Sequence, residues 1–306
     1  MKHFIGLADI PTGELTHTLD VAARLKRQLR EAGRNDPILA GQTLAMIFEK
    51  PSLRTRVSFA VAMTQLGGAG LLLRPDEVGL GTREPVRDVA RVLGRMCDGI
   101  MARVFEHQKL LELAEWSPVP VINGLSDYNH PCQAMADVMT IREHFGRLEG
   151  LTVAFVGDGN NVARSLAVAC GKFGMRFVLA SPGGYELPND DLDRVMAALP
   201  SMEFQLCHDP REAVREADVL YTDVWTSMGQ EAENAKRERD FAGYGIDERL
   251  MEAAPKHAVV MHCLPAHRGY EISNGAMEHQ RSLVFPQAEN RLHAQKGILA
   301  VLMGGA

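Results

Sequence analysis

The chain has 306 residues, 46% hydrophobic and 24% charged, ordinary proportions for a globular protein but too long for one core of usual size, so two domains are expected. The formal net charge of −6 argues against nucleic acid or an anionic membrane as a main partner and confines any anion site to a local cluster. No apolar run is long enough to span a bilayer, and the N-terminal MKHFIGLADIPTGELTH has neither an extended apolar segment nor a cleavage signature. Cys97, Cys132, Cys170, Cys207 and Cys263 are scattered and never spaced CxxC, which predicts a cytoplasmic protein without disulfides or a zinc site.

In the first half, apolar runs predict strands at 43–49, 69–74, 98–104 and 119–124, with helical patterns at about 53–66, 85–96 and 107–115. A helix-like stretch at 131–146 joins the halves. In the second half, strands are predicted at 151–157, 176–181, 203–207, 217–224 and 258–265, again with helical patterns between them. Such alternation predicts an α/β protein with two Rossmann-like domains, each a parallel sheet covered by helices on both faces. The dense charge run 231–240 is either a solvated face or a flap over a site, because it follows the polar loop TSMGQ.

In open parallel sheets, ligands bind beyond the carboxyl ends of the strands. Those ends carry Ser52-Leu53-Arg54-Thr55-Arg56, Arg103, His130 with Gln133, Asp158-Gly159-Asn160-Asn161, Asp223 with Ser227, and His262-Cys263-Leu264. Ser52 is a good helix N-cap. Val57, Ala60, Val61 and Thr64 form a helical face, and Gly67-Gly68 end the helix. The N–H groups of residues 53–55, the Ser52 and Thr55 hydroxyls and the Arg54 fork then suit an anion. The alternative is that Ser52 only caps and the arginines pair with acids such as Glu49.

The loop GDGNN (157–161) follows a strand and opens a helix, but Val162 stands where a dinucleotide fingerprint needs Gly or Ala. No clear acidic residue ends the next strand, so a nicotinamide cofactor is not expected. Asn160 and Asn161 either hydrogen-bond a zwitterionic ligand or make the turn. His130 and Gln133 offer two neutral donors one helical turn apart. Cys263 ends a buried strand, where a thiol is usually inert packing. No triad order, paired carboxylates or metal-ligand spacing emerges, so neither cofactor nor metal is expected.

Four stretches together, FEKPSLRTRVSF (48–59), HPCQAMAD (130–137), DVWTSMGQE (223–231) and HCLPAHRG (262–269), resemble the aspartate/ornithine carbamoyltransferase family over nearly the whole chain. The Asp-x-x-x-Ser-Met-Gly loop resembles the ornithine branch. The resemblance implies transfer of the carbamoyl group of carbamoyl phosphate to the δ-amine of L-ornithine, giving citrulline and phosphate, in a cleft between the domains. It implies a carbamoyl-phosphate domain at 1–135, onto which a helix at about 287–306 packs back, and an ornithine domain at 136–286. Carbamoyl phosphate is expected to meet Ser52, Leu53 through its backbone, Arg54, Thr55, Arg103, His130, Pro131, Cys132, Gln133 and Arg291. Cys263 and Leu264 are expected to meet the carbamoyl group through backbone carbonyls. Arg54, Arg103, His130 and Cys263 are the expected catalytic group. Ornithine is expected at Asn161, Asp223, Ser227 and Met228, and the assembly is expected to be a homotrimer or a multiple of one. Alternatives are a transcarbamoylase for another amine and a regulatory protein that binds without turnover.

Two departures stand out. Leu53 replaces the Thr of S-T-R-T-R, which matters little if that residue acts through its N–H. Gly79 in EVGLG falls where the family often has a Gln contacting carbamoyl phosphate. A missing amide donor predicts that Gly79→Gln tightens carbamoyl phosphate. A need for positive φ at Gly79 predicts the opposite.

Overall fold

The computed structural model describes residues 1–227 and 231–305. The chain divides into two compact units, Met1–Met139 with Glu289–Ala306, and Thr140–Ala288. The first runs through α1 (Thr12–Ala32), β1 (Thr43–Phe48), α2 (Leu53–Gln65), β2 (Ala69–Leu73), α3 (Pro75–Val78), α4 (Val86–Met96), β3 (Gly99–Arg103), α5 (His107–Trp116) and β4 (Val121–Leu125). Helix α6 (Pro131–Phe145) crosses the division. The second unit holds β5 (Thr152–Val156), α7 (Asn161–Lys172), β6 (Arg176–Ala180), α8 (Asn189–Ala198), β7 (Phe204–Cys207), α9 (Pro210–Val214), β8 (Val219–Thr222), α10 (Asn234–Asp240), α11 (Glu248–Ala253), β9 (Val259–His262) and α12 (Asn274–Met277). Helix α13 (Val284–Met303) crosses the division in the other direction.

Both sheets are wholly parallel, in the orders β2-β1-β3-β4 and β7-β6-β5-β8-β9. Each therefore reverses direction once, between β1 and β3 in one and between β5 and β8 in the other. Loops leaving such neighbouring strands diverge to opposite faces and open a crevice at their carboxyl ends. The inner strands are buried along nearly their whole length, as expected where helices cover both faces.

Strands β8 and β9 stop at Thr222 and His262, two and three residues short of the predicted ends. Asp223 and Cys263 leave the ladder there to enter the site loops. Sequence periodicity chose the wrong face of α2. Thr55, Ser58, Phe59, Ala62 and Met63 are buried, whereas Val57 is 49% exposed and Thr64 is also exposed. Both stripes satisfy the helical period, and packing against the sheet chose the one carrying Phe59 and Met63. The 21-residue helix α1 had no counterpart among the predicted elements, although Leu15, Leu19, Ala22 and Leu25 form its buried stripe between Pro11 and a left-handed Gly33. The charge run forms α10 and the turn before it. Its described side chains are exposed except Arg237, which is 6% exposed.

Candidate functional site: two half-sites at the switch points

In the first unit, the loop after β1 enters α2. Ser52 caps that helix, its Oγ accepting from the Thr55 N–H at 3.3 Å. That N–H, expected to face an anion, is thus engaged in the cap. Glu49 pairs with Lys109 at 2.7 Å and accepts from the Phe105 N–H at 2.9 Å, so it is not the counter-ion of the α2 arginines. Leu53 is 74% exposed. Arg54 is half-buried and Arg56 exposed.

Thr55, completely buried, is the hub. Its Oγ1 accepts from Arg103 Nη1 at 3.4 Å and from Arg291 Nη2 at 3.1 Å. Arg103 comes from the end of β3, across the switch point, and Arg291 from α13. Arg291 Nη1 also donates to Gln133 Oε1 at 2.7 Å, and Gln133 Nε2 donates to Asp137 Oδ1 at 2.8 Å. One amide N–H of Gln133, expected to face a ligand, therefore serves Asp137, and Gln133 orients Arg291. Asp137 stands inside the HPCQAMAD motif one turn beyond Gln133. The i to i+4 spacing was the signal that could have identified it.

His130 is buried, and its imidazole is held well below the usual pKa. Burial is the main cause, followed by the charges of Arg291, Arg103 and Arg54. It is therefore a neutral donor among three cations. Pro131 and Cys132 are buried beside it; the Cys132 Sγ donates to the Asn123 carbonyl, and burial pushes its thiol up to about 12, against the pull of Arg291. It remains a thiol.

Gly79 hydrogen-bonds within its own loop. Its N–H donates to Pro75 O, and its carbonyl accepts from Arg83 N, both at 2.8 Å. It lies at φ 57°, and an added Cβ would sit 2.5 Å from Arg83 Cβ. This corrects the missing-donor expectation, because a Gln could be placed there only with strain and a clash.

In the second unit, the crevice between β5 and β8 collects the polar groups. Gly159 is required by close packing, since a Cβ would lie 2.4 Å from the Leu187 nitrogen. Asn160 caps α7, accepting from Val162 N at 2.9 Å and Ala163 N at 3.1 Å. Its Nδ2 donates to Asp223 Oδ2 at 2.9 Å. The Cys263 Sγ donates to Asp223 Oδ1 at 2.9 Å, across from β9. Asp223 is 7% exposed, while Asn161 and Ser227 are half-buried at the same rim. Met228 lies outside the described residues.

Leu264 adopts φ 59°, a conformation that costs a non-glycine residue about 1–3 kcal/mol. Its N–H donates to His262 Nδ1 at 2.8 Å. The other ring nitrogen then carries the proton and faces Glu271 Oε1 at 3.2 Å. Glu271, fully buried, also accepts from the His267 N–H, which ties down the whole HCLPAH turn.

Asp158 binds Arg237 Nη1 at 2.9 Å, and the same nitrogen donates to the Trp225 carbonyl at 2.8 Å. Burial pushes the Asp158 carboxyl up to about 6 against the pull of Arg237, with Asp223 and Glu233 adding to the rise. Sequence reasoning saw no role for Arg237, because nothing local distinguishes it from its exposed neighbours Lys236 and Arg239.

Asp223, His262 and Cys263 place donor atoms within 4.8 Å of one another, a set that could hold a soft divalent ion. A metal there would displace the hydrogen bonds just described. The sequence showed no such spacing because the donors come from the ends of two strands. All five cysteines are buried and none is in a disulfide, and no described helix is long and apolar enough to cross a membrane.

Residues 2–143 match the family profile described as aspartate/ornithine carbamoyltransferase, carbamoyl-P binding domain, and residues 149–302 match its Asp/Orn binding domain. An ornithine carbamoyltransferase of Methanopyrus kandleri is 52% identical over 99% of this chain and 97% of its own length. One from Archaeoglobus fulgidus is 50% identical over 99% and 98%. The solved ornithine carbamoyltransferase from Pyrococcus furiosus superposes with a TM-score of 0.96 at 47% identity, covering 100% of this chain and 98% of that one.

Proposed function

Since the chain belongs to the aspartate/ornithine carbamoyltransferase family, we infer that it transfers the carbamoyl group of carbamoyl phosphate to the δ-amine of L-ornithine, yielding L-citrulline and phosphate. The observation that carries this reading is the pairing of opposite chemistries at two equivalent switch points. One is a cluster of three guanidiniums around a neutral imidazole. The other is a buried carboxylate oriented by an amide and a thiol.

We assign the first unit to carbamoyl phosphate. Its phosphate would take the α2 N-terminus at Ser52, Leu53, Arg54 and Thr55, together with Arg103 and Arg291. These cations offset the charge that grows on phosphate as the C–O bond breaks. His130, kept neutral, can donate to the carbonyl oxygen as it becomes an oxyanion without exchanging its proton over the working pH range. We assign the second unit to ornithine, with Asp223 on the α-ammonium and Asn161, Ser227 and Met228 around the amino acid.

The δ-amine must lose its proton before it attacks, from a pKa of roughly 10.4. Exclusion of water and nearby positive charge lower that value. The departing phosphate can accept the proton released when the C–N bond forms, so no protein base is needed. Holding the amine against the carbamoyl carbon supplies much of the remaining rate gain. For the whole protein we propose a cytoplasmic homotrimer or a multiple of one, which sedimentation would test.

Citrulline formation tests the assignment. Product must require both ornithine and carbamoyl phosphate, and phosphate must appear in equal amount. Turnover with a different amine and none with ornithine would overturn it, as would binding of both ligands without product.

A further inference from the structure

We propose that Asn160 is a positioning residue for ornithine, acting through Asp223. The inference rests on the ornithine reading and extends it to a residue that touches the carboxylate rather than the substrate.

The Asn160 amide carries one acceptor oxygen and two N–H donors. Oδ1 faces the N–H groups of Val162 and Ala163 at 2.9 and 3.1 Å, so it must be the oxygen. The 12-residue helix α7 thereby fixes which way the amide is turned. Nδ2 is left facing Asp223 Oδ2 at 2.9 Å, across the gap between the ends of β5 and β8. The Cys263 thiol, arriving from β9, holds the other oxygen at 2.9 Å. Both oxygens of the carboxylate are thus tied, and its plane is set by groups that cannot rotate freely. Asp223 meets an ammonium with its remaining lone pairs already aimed. An unheld carboxylate would lose rotational freedom on binding and bind more weakly.

The cap and the positioning function can be separated by substitution. Asp caps a helix about as well as Asn. Asn160→Asp therefore keeps the contacts to Val162 and Ala163 while placing a second carboxylate against Asp223. Asn160→Ser keeps a cap but loses the reach to Asp223. Asn160→Ala loses both.

The experiment compares steady-state kinetics and melting temperature across the three variants. Asn160→Asp should raise the ornithine KM at least about tenfold through like-charge repulsion, and Asn160→Ser should raise it several-fold. The carbamoyl phosphate KM should stay within about twofold of wild type in both. The melting temperature of Asn160→Ser should stay near wild type, whereas Asn160→Asp should fall because two carboxylates then repel in the folded state and Asn160→Ala should fall because the cap is lost. An unchanged ornithine KM in Asn160→Asp overturns the inference while leaving the parent reading intact. So does an equal rise for both substrates. A wild-type protein that makes no citrulline from ornithine overturns the parent reading and this inference with it.

Discussion

At the switch point of the four-stranded sheet, Arg54, Arg103 and Arg291 surround one neutral imidazole. At that of the five-stranded sheet, Asp158 and Asp223 lie beside a thiol, an imidazole and a single guanidinium. The two sheets place their crevices by the same topological rule, yet the crevices carry opposite charge. The difference shows that strand order sets where a ligand can lie, and that the side chains at the strand ends set which one. They also differ in how they respond to protons. The first crevice holds the His130 imidazole well below its usual value, whereas burial pushes the Asp158 carboxyl of the second up to about 6.

That contrast can be broken most strongly through Asp158. Its folded pKa of about 6 lies above the unfolded carboxylate value, so the folded state binds the extra proton. The stability it contributes is complete below about pH 4 and is lost as pH rises through about 6. The loss amounts to about 3 kcal/mol for a shift of roughly two units. Asp158→Asn should lack this dependence. Urea unfolding of both proteins across that range checks it, and parallel profiles would remove the proton-sensitive strut from the account.

The next largest effect tests the cationic side. Arg54→Ala removes a charge-assisted contact to an anion, about 1.5–3 kcal/mol or roughly 10- to 150-fold. The carbamoyl phosphate KM should rise and turnover should slow, with the ornithine KM little changed. Wild-type kinetics in that variant would take Arg54 out of the phosphate grip.

Asp223→Asn asks the mirror question. It should weaken ornithine by about 2 kcal/mol and carbamoyl phosphate far less. Equal weakening of both ligands would make Asp223 a structural residue and erase the charge contrast.

The smallest effect concerns the loop after β2. Gly79→Gln should lower stability by about 1–2 kcal/mol because of its left-handed backbone, a fall of several degrees in melting temperature. It should not tighten carbamoyl phosphate. Tighter binding with unchanged melting would restore the missing-donor reading.

Part of the cationic cluster was legible in the sequence because that part is local, whereas Arg291, which meets Thr55 from 236 residues away, came from the resemblance. Ser52, Arg54 and Thr55 share one helical turn, and His130 and Gln133 share another. The polar cluster of the second unit was legible only in part. Asp223 and Asn161 stood out at strand ends and the resemblance linked them to ornithine, but the thiol of Cys263 meets Asp223 from 40 residues away and Asn160 meets it from 63. No local pattern encodes those pairings. Arg237 shows the same limit, since it turns inward among solvated charges only because Asp158 and the Trp225 carbonyl wait there.

By itself the sequence determined the alternation of strands and helices, hence two covered parallel sheets. It also determined the cap at Ser52, because that cap joins residues three apart. Tertiary structure decided the rest. It chose which of two apolar stripes of α2 is buried, because a 3.6-residue period is satisfied by either and only the sheet beneath discriminates. It gave Gly79 a left-handed turn. It brought the ends of β5, β8 and β9 together, because parallel strands joined by crossovers become neighbours in an order that chain distance does not record.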